Sequence, residues 1–283
     1  MRPSLVIAGL SIAVSGVQSQ QVCRPNKDQR EAKLLAFFAA PIAFSPAGSV
    51  APLAKGEIRL SFDATYVPTP SDEMSRPEIC YTDAKRENTS LSSVFPRPRI
   101  AVGLSDNLWL EASYLPPVTV MDATPNLFSA ALGWGRDIGG TLLALRAHVT
   151  VGQVKGPITC NEDAIQTTSP SGTCYATEPS EDTYKPNMFG VEAALGFTHG
   201  ERLQTYLGTG VTSLRPRFQV GFVDASNNID NTKVEVDLVR LSAFAGARYR
   251  LAPRAALTAE VYSVPEDITT IRLGGSYSLR GGH

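Results

Sequence analysis

Apolar and polar residues alternate along most of the chain, most clearly from Asn126 to Gly152, NLFSAALGWGRDIGGTLLALRAHVTVG. In its first half Phe128, Ala130, Leu132 and Trp134 share one face. In its second half Leu143, Leu145, Ala147, Val149 and Val151 do so, with Arg146, His148 and Thr150 opposite. Alternation at period two predicts strands with one apolar and one polar face. Asp137-Ile138-Gly139-Gly140 predicts the tight turn between them. The same pattern predicts strands at 56–68, 97–104, 108–115, 187–199, 202–214, 233–250, 255–264 and 269–280, about ten in all. Across Arg215-Pro216 the apolar parity flips, from Leu203, Leu207 and Val211 to Phe218, Val220 and Phe222. The run 233–250 flips likewise, from Val234 and Val236 to Val239, Leu241 and Ala243. A bulge in each would account for the flips, and the matched pair predicts one tall hairpin rising above the sheet.

Connection lengths distinguish two architectures. Every second connection is a turn of a few residues, whereas both long ones, 68–96 and 153–186, are odd-numbered. A soluble sandwich or lipocalin-like barrel needs no such sorting. A membrane barrel has short periplasmic turns, longer external loops, an even strand number and aromatics near both interfaces. With both termini placed in the periplasm, the long loops fall outside. Tyr66, Tyr114, Phe128 and Phe189 then fall near the outer rim, and Trp134, Phe197, Tyr249 and Tyr277 near the inner one. The expected fold is all-β, an antiparallel up-and-down transmembrane β-barrel of about ten strands over residues 56–283.

On this pattern the chain resembles the bacterial outer-membrane β-barrel proteins, closest to the small uncharacterised exported ones, over about residues 55 to 280. The resemblance implies the bacterial cell outer membrane as location, with outer-membrane lipid and the barrel-assembly machinery as partners. One departure is the C-terminus, Leu279-Arg280-Gly281-Gly282-His283, where such barrels usually end on an aromatic residue; Tyr277 is the nearest here.

The N-terminus agrees with export. Arg2 precedes an apolar run from Leu5 to Val17, and Val17-Gln18-Ser19 is a small-x-small cleavage site, so residues 1–19 are expected to be a signal peptide. Residues 20–55 include an apolar, Pro-broken stretch, expected to be a partly ordered periplasmic or lumen-directed segment. An even count of four cysteines in an exported chain suggests disulfides. Cys160 and Cys174 flank one polar loop and form the natural pair, leaving Cys23 with Cys80. No Cys-x-x-Cys spacing or nearby His favours a metal, and no cofactor is expected. A net charge of −1 argues against nucleic-acid binding.

Assigning faces directs a set of charged side chains to the lumen: Arg59, Asp63, Arg99, Glu111, Arg146, His148, Glu192, Arg240, Arg248, Glu260 and Arg272. Charges of both signs inside a narrow barrel mostly pair and brace the wall. The functional alternative is a narrow small-solute pore biased toward anions by the Arg excess. A surface adhesion or ligand-binding role through the external loops is the reading from another class, and a soluble lipocalin-like binder the one outside the membrane.

An enzyme is not expected. Omptin-like proteases need His-Asp and Asp-Asp pairs near the outer rim, and outer-membrane phospholipases need a His-Ser arrangement. The mature chain offers only His148, His199 and His283, without such partners at fixed spacing. Gly133, Gly135, Gly208 and Gly210 lie within strands, where they make room for large lumen side chains instead of cradling phosphate. Asn88-Thr89-Ser90 matches a glycosylation acceptor and implies only an exposed loop.

Overall fold

The computed structural model describes residues 22–48, 50–76, 78–80, 93–120 and 122–280. The expected signal peptide, Asn88 and His283 lie outside them. In chain order the elements are β1 (Val22–Cys23), α1 (Arg30–Ile42), β2 (Ile58–Tyr66), β3 (Val94–Ser105), β4 (Leu108–Leu115), β5 (Thr124–Ile138), β6 (Thr141–Gly156), β7 (Asp182–Lys185), β8 (Met188–His199), β9 (Leu203–Leu214), β10 (Arg217–Gln219), β11 (Phe222–Val223), β12 (Ile229–Asp230), β13 (Lys233–Glu235), β14 (Leu238–Ala252), β15 (Ala255–Val264) and β16 (Ile268–Arg280).

Ten of these strands form a closed antiparallel ring. β2 to β6 pair in sequence, β6 continues to β8, and β8, β9, β14, β15 and β16 return to β2. Closure gives every strand of the ring two paired neighbours, which is what a strand structure needs in lipid. The turn after β5 is set by Gly139 and Gly140, both at positive φ (63° and 88°), a conformation glycine adopts without steric cost. All the tight turns between β3–β4, β5–β6, β8–β9 and β14–β15 lie at one end; the longer connections lie at the other.

The outward faces carry a belt of exposed large apolar residues, among them Leu60, Phe62, Leu110, Leu132, Leu145, Val191, Leu207, Leu241, Val261 and Leu273. Water would not tolerate such a belt on a monomer; lipid would. Tyr66, Tyr114, Phe128 and Phe189 are exposed toward the loop end, and Trp134, Tyr249 and Tyr277 toward the turn end, with Phe197 half-buried there. A substitution separates lipid from water directly. Leu207, near the middle of β9, is 52% exposed. Leu207→Arg should cost roughly 2–4 kcal/mol when unfolding is followed in lipid vesicles. A water-facing position would lose at most about 0.5 kcal/mol.

The parity flips now have a cause. Within the belt the apolar residues of β9 and β14 point outward: Leu207, Val211, Val239 and Leu241 are exposed. Beyond it they point inward: Phe218, Val220, Phe222, Val234 and Val236 are buried. The chain changes the face it buries where it leaves lipid and meets a packed interior. There β7, β10 and β13 extend the sheet above the ring, and β1 adds to its edge, parallel to β13. The expected tall hairpin is this extension, with β7 as an added member from within the second long loop.

The described part of the N-terminal segment starts at the loop end, opposite to the end at which both termini are expected. Val22 and Cys23 pair with Lys233 and Val234 at the loop end. Residues 30–57 then pass through the lumen to the turn end, where the Gly56 N–H donates to the Gly103 carbonyl at 2.9 Å and the Lys55 N–H reaches Asp106 at 3.5 Å. An ideal Cβ on Gly103 would lie 2.0 Å from the Ala54 carbonyl oxygen, so this position admits only glycine beside the threaded segment. The strand at 97–104 also begins earlier than expected, at Val94.

Candidate functional site

The lumen is occupied, and its occupant explains most of the inward charges. Helix α1 is apolar on nearly every face, and ten of its thirteen residues are buried. A helix apolar all round must be enclosed. Its last turn has no basic residue of its own to meet the exposed carbonyls and negative end of the helix dipole. The barrel wall supplies them. Arg97 donates to the carbonyls of Ile42 and Ala43 (2.9 Å to the latter), Arg99 to Ser45 (2.7 Å), Arg146 to Phe44, and Arg272 to Ala43 and Ala40 (3.4 and 3.5 Å). The Phe44 ring is fully buried among three of these guanidinium groups, with Arg99 4.4 Å, Arg146 4.8 Å and Arg97 5.4 Å from its centroid.

Carboxylates complete the clasp. Arg99 pairs with Asp63; Arg146 bridges Glu111 (3.1 Å) and Glu192 (3.0 Å); Arg272 pairs with Glu260 (3.3 Å). Glu260 also accepts from the Ser45 hydroxyl, the Ala47 N–H and the Tyr206 hydroxyl, at 2.8 to 3.0 Å. Trp109 donates to Glu111 at 2.8 Å. Four arginines thus face four carboxylates, so this tier has no excess of either sign. A cavity beside Arg146, Glu192 and Val50 measures about 10 Å³, room for about one water.

The other expected lumen residues lie elsewhere. Arg240 meets Asp267 (2.9 Å) and Glu266 (3.2 Å) in the β15–β16 connection, at the loop end. Arg59 pairs with Glu57 at 3.1 Å near the turn end, and Arg248 is half-buried at that end of β14. His148 is buried with Nε2 3.6 Å from Glu192, and His199 is exposed beside Thr205. Among the described residues no cluster of His, Cys, Asp and Glu could hold a metal ion. Arg97, Trp109, Tyr206, Phe244 and Tyr262 were not among the expected lumen residues. Arg97 shares the parity of Arg99 and opens the strand expected at 97–104, so the same assignment of faces reaches it. The glycines do make room: a Cβ on Gly133 would lie 2.2 Å from the Trp109 ring and one on Gly208 2.3 Å from Phe244.

The loop end is fastened separately. Cys23 and Cys80 are bonded, with Cα atoms 5.5 Å apart, and tie the start of the threaded segment to the first long loop. Cys160 and Cys174 are bonded at 5.7 Å and brace the second. Asp182, fully buried, accepts from the N–H groups of Thr159 and Gly221 and from Ser180. Ala225 donates to the Tyr175 carbonyl at 2.9 Å, joining the second long loop to the β9–β14 connection.

Glu31, in the first turn of α1, accepts from the N–H groups of Glu78, Ile79 and Cys80 at 2.7, 2.7 and 3.0 Å. Burial works against its charge, yet the N–H groups of Cys80, Ile79 and Glu78 hold its carboxyl below the ordinary glutamate value. A lowered folded pKa contributes stability above the unfolded value that is lost as pH falls through the folded one. Hydrogen exchange at residues 78–80 should therefore accelerate on acidification through that window, and Glu31→Gln should remove the pH dependence.

No protein-family model matches the sequence, and no curated protein matches it. Solved structures of similar architecture include Ail, the attachment invasion locus protein of Yersinia pestis, at 10% identity and TM-score 0.32, covering 80% of this chain and 99% of that one. Neisserial surface protein A is 12% identical at TM-score 0.30, covering 78% and 95%. The copper transporter OprC is 10% identical at TM-score 0.35, covering 81% and 39%. The chain's own ring of ten strands, apolar belt, aromatic rims and sorted connections carry the conclusion. It is an outer-membrane β-barrel, filled by its own N-terminal segment.

Proposed function

We propose that this barrel works at the cell surface as a closed body presenting a braced cap of loops, with binding or structural support as its role. The observation that carries this reading is the threaded segment 30–57, whose backbone carbonyls are held by four wall arginines. A pore would need those arginines free, and a lumen with balanced charge gives little basis for anion selection. The cap supports binding instead, because loops fixed by two disulfides and by Asp182 are preorganised and lose little entropy when a partner docks. Val223 and Ile229, exposed on the small β11–β12 ribbon, are candidate contacts.

On this reading residues 1–19 direct export, the assembly machinery reads the β16 end of the chain, and neither catalysis nor a cofactor is needed. The test is single-channel recording of the intact, oxidised protein in planar bilayers. Silence at all voltages that leave the membrane intact is expected; steady ion conductance would overturn the closed-body reading.

A further inference from the structure

The ring has one incomplete seam. β3 and β4 pair from Ser105 and Leu108 up to Ile100 and Ala112, and among the described residues the ladder does not continue over residues 96–99 of β3, although both strands do. Alternation explains why. Gly103 exchanges hydrogen bonds with the β2 side, its N–H donating to Glu57 and its carbonyl accepting from Gly56; at the other end Ser93 accepts from Val67. Odd-numbered residues of β3 therefore direct their backbone groups at β2, and even-numbered ones at β4. The even positions above Ile100 are Pro98 and Pro96, which have no N–H. Continuing the register sets Pro98 against Tyr114 and Pro96 against Pro116. Of the four N–H donors that would close the seam, only that of Tyr114 exists.

Behind the seam lies an apolar cavity of about 130 Å³. Its lining includes Phe38 and Ile42 of α1, Phe95 on the lumen face of β3, Val94 and Pro96 on the outer face, and Leu115 of β4. Residues from both faces of one strand line the same space, so it passes through the wall at the unpaired edge. The seam stands level with Tyr66 and Tyr114 of the outer aromatic rim, where its outer mouth meets lipid. An unpaired strand edge is costly in lipid unless something covers it.

We infer that this cavity is a binding site for the acyl chain of an outer-leaflet lipid, entered sideways through the seam between β3 and β4. The chemistry is selective: the walls are apolar, and an apolar cavity of this order stays dry and takes an apolar guest. A lipid already beside Val94 and Pro96 reaches it without crossing water.

The chain's two tryptophans supply reference points, Trp134 facing lipid and Trp109 buried in the lumen. Trp134→Phe leaves Trp109 as the lumen baseline. Adding Phe38→Trp to that variant places an indole in the cavity. In vesicles of phosphatidylcholine brominated along its acyl chains, the added indole should be quenched nearly as strongly as Trp134 in the unaltered protein, and Trp109 little. Pro96→Val with Pro98→Val restores two donors and should remove most of the added quenching. An added indole quenched no more than Trp109 overturns the proposal, as does quenching by brominated free fatty acid but not by the phospholipid. Native mass spectrometry of the unaltered protein from the same vesicles provides a test that needs no variant. A retained phospholipid, lost in the double proline variant, is expected; a bare protein, or retention unchanged in that variant, overturns it.

Discussion

Arg146→Ala is expected to lower the stability of the folded barrel by about 3–5 kcal/mol, the cost of leaving buried charge without its partner. Arg146 neutralises Glu111 and Glu192 and donates to the Phe44 carbonyl. Its loss leaves two buried carboxylates and frees one anchor of the threaded segment. Urea unfolding in vesicles, followed by the mobility difference between folded and boiled protein, reads the change. A second variant separates charge from packing. Arg146→Met with Glu111→Leu and Glu192→Leu removes Arg146 and both carboxylates it bridges at similar volume, and should recover part of the loss, because Trp109 and Arg99 also lose their contact with Glu111. If the single variant is as stable as the parent, the arginine does not hold the segment.

Removing the threaded segment should change the barrel from silent to conducting. Deletion of residues 20–55, with Cys80→Ser to remove the cysteine left without Cys23, takes away α1, Phe44 and every carbonyl that Arg97, Arg99, Arg146 and Arg272 hold. Ten strands enclose a narrow space once side chains fill it, so discrete small steps are expected, not the large current of a wide porin. Four arginines against Asp63, Glu111, Glu192 and Glu260 predict weak charge selectivity at neutral pH. A folded deletion variant that remains silent would mean that the wall side chains alone close the lumen.

Much of this barrel was legible from alternation alone. Strand number, the face of Leu207 or Arg146, and the end of the barrel at which each loop falls all follow from period two and connection length. Both cysteine pairings suggested by loop position and elimination appear in the structure. What alternation does not carry is the identity of partners. The arginines could be assigned to the lumen, but several of their acceptors are backbone carbonyls of Ala40, Ile42, Ala43, Phe44 and Ser45, and a carbonyl leaves no mark in the sequence. Residues 29–52 were ambiguous for a related reason. Beyond its first turn α1 is apolar on every side and has no periodic face to show where it packs. The parity flips in β9 and β14 were visible, but their cause, an exit from lipid into a packed cap, depends on α1 being there.

The segment threads the lumen from the loop end, with Val22 at the outer end of the barrel. An epitope placed immediately before Val22, and after the expected cleavage site, tests it by antibody labelling of intact cells. Labelling equal to that of an epitope in the β11–β12 connection is the predicted result. Labelling that appears only after the outer membrane is permeabilised would place the segment's start in the periplasm and contradict the account.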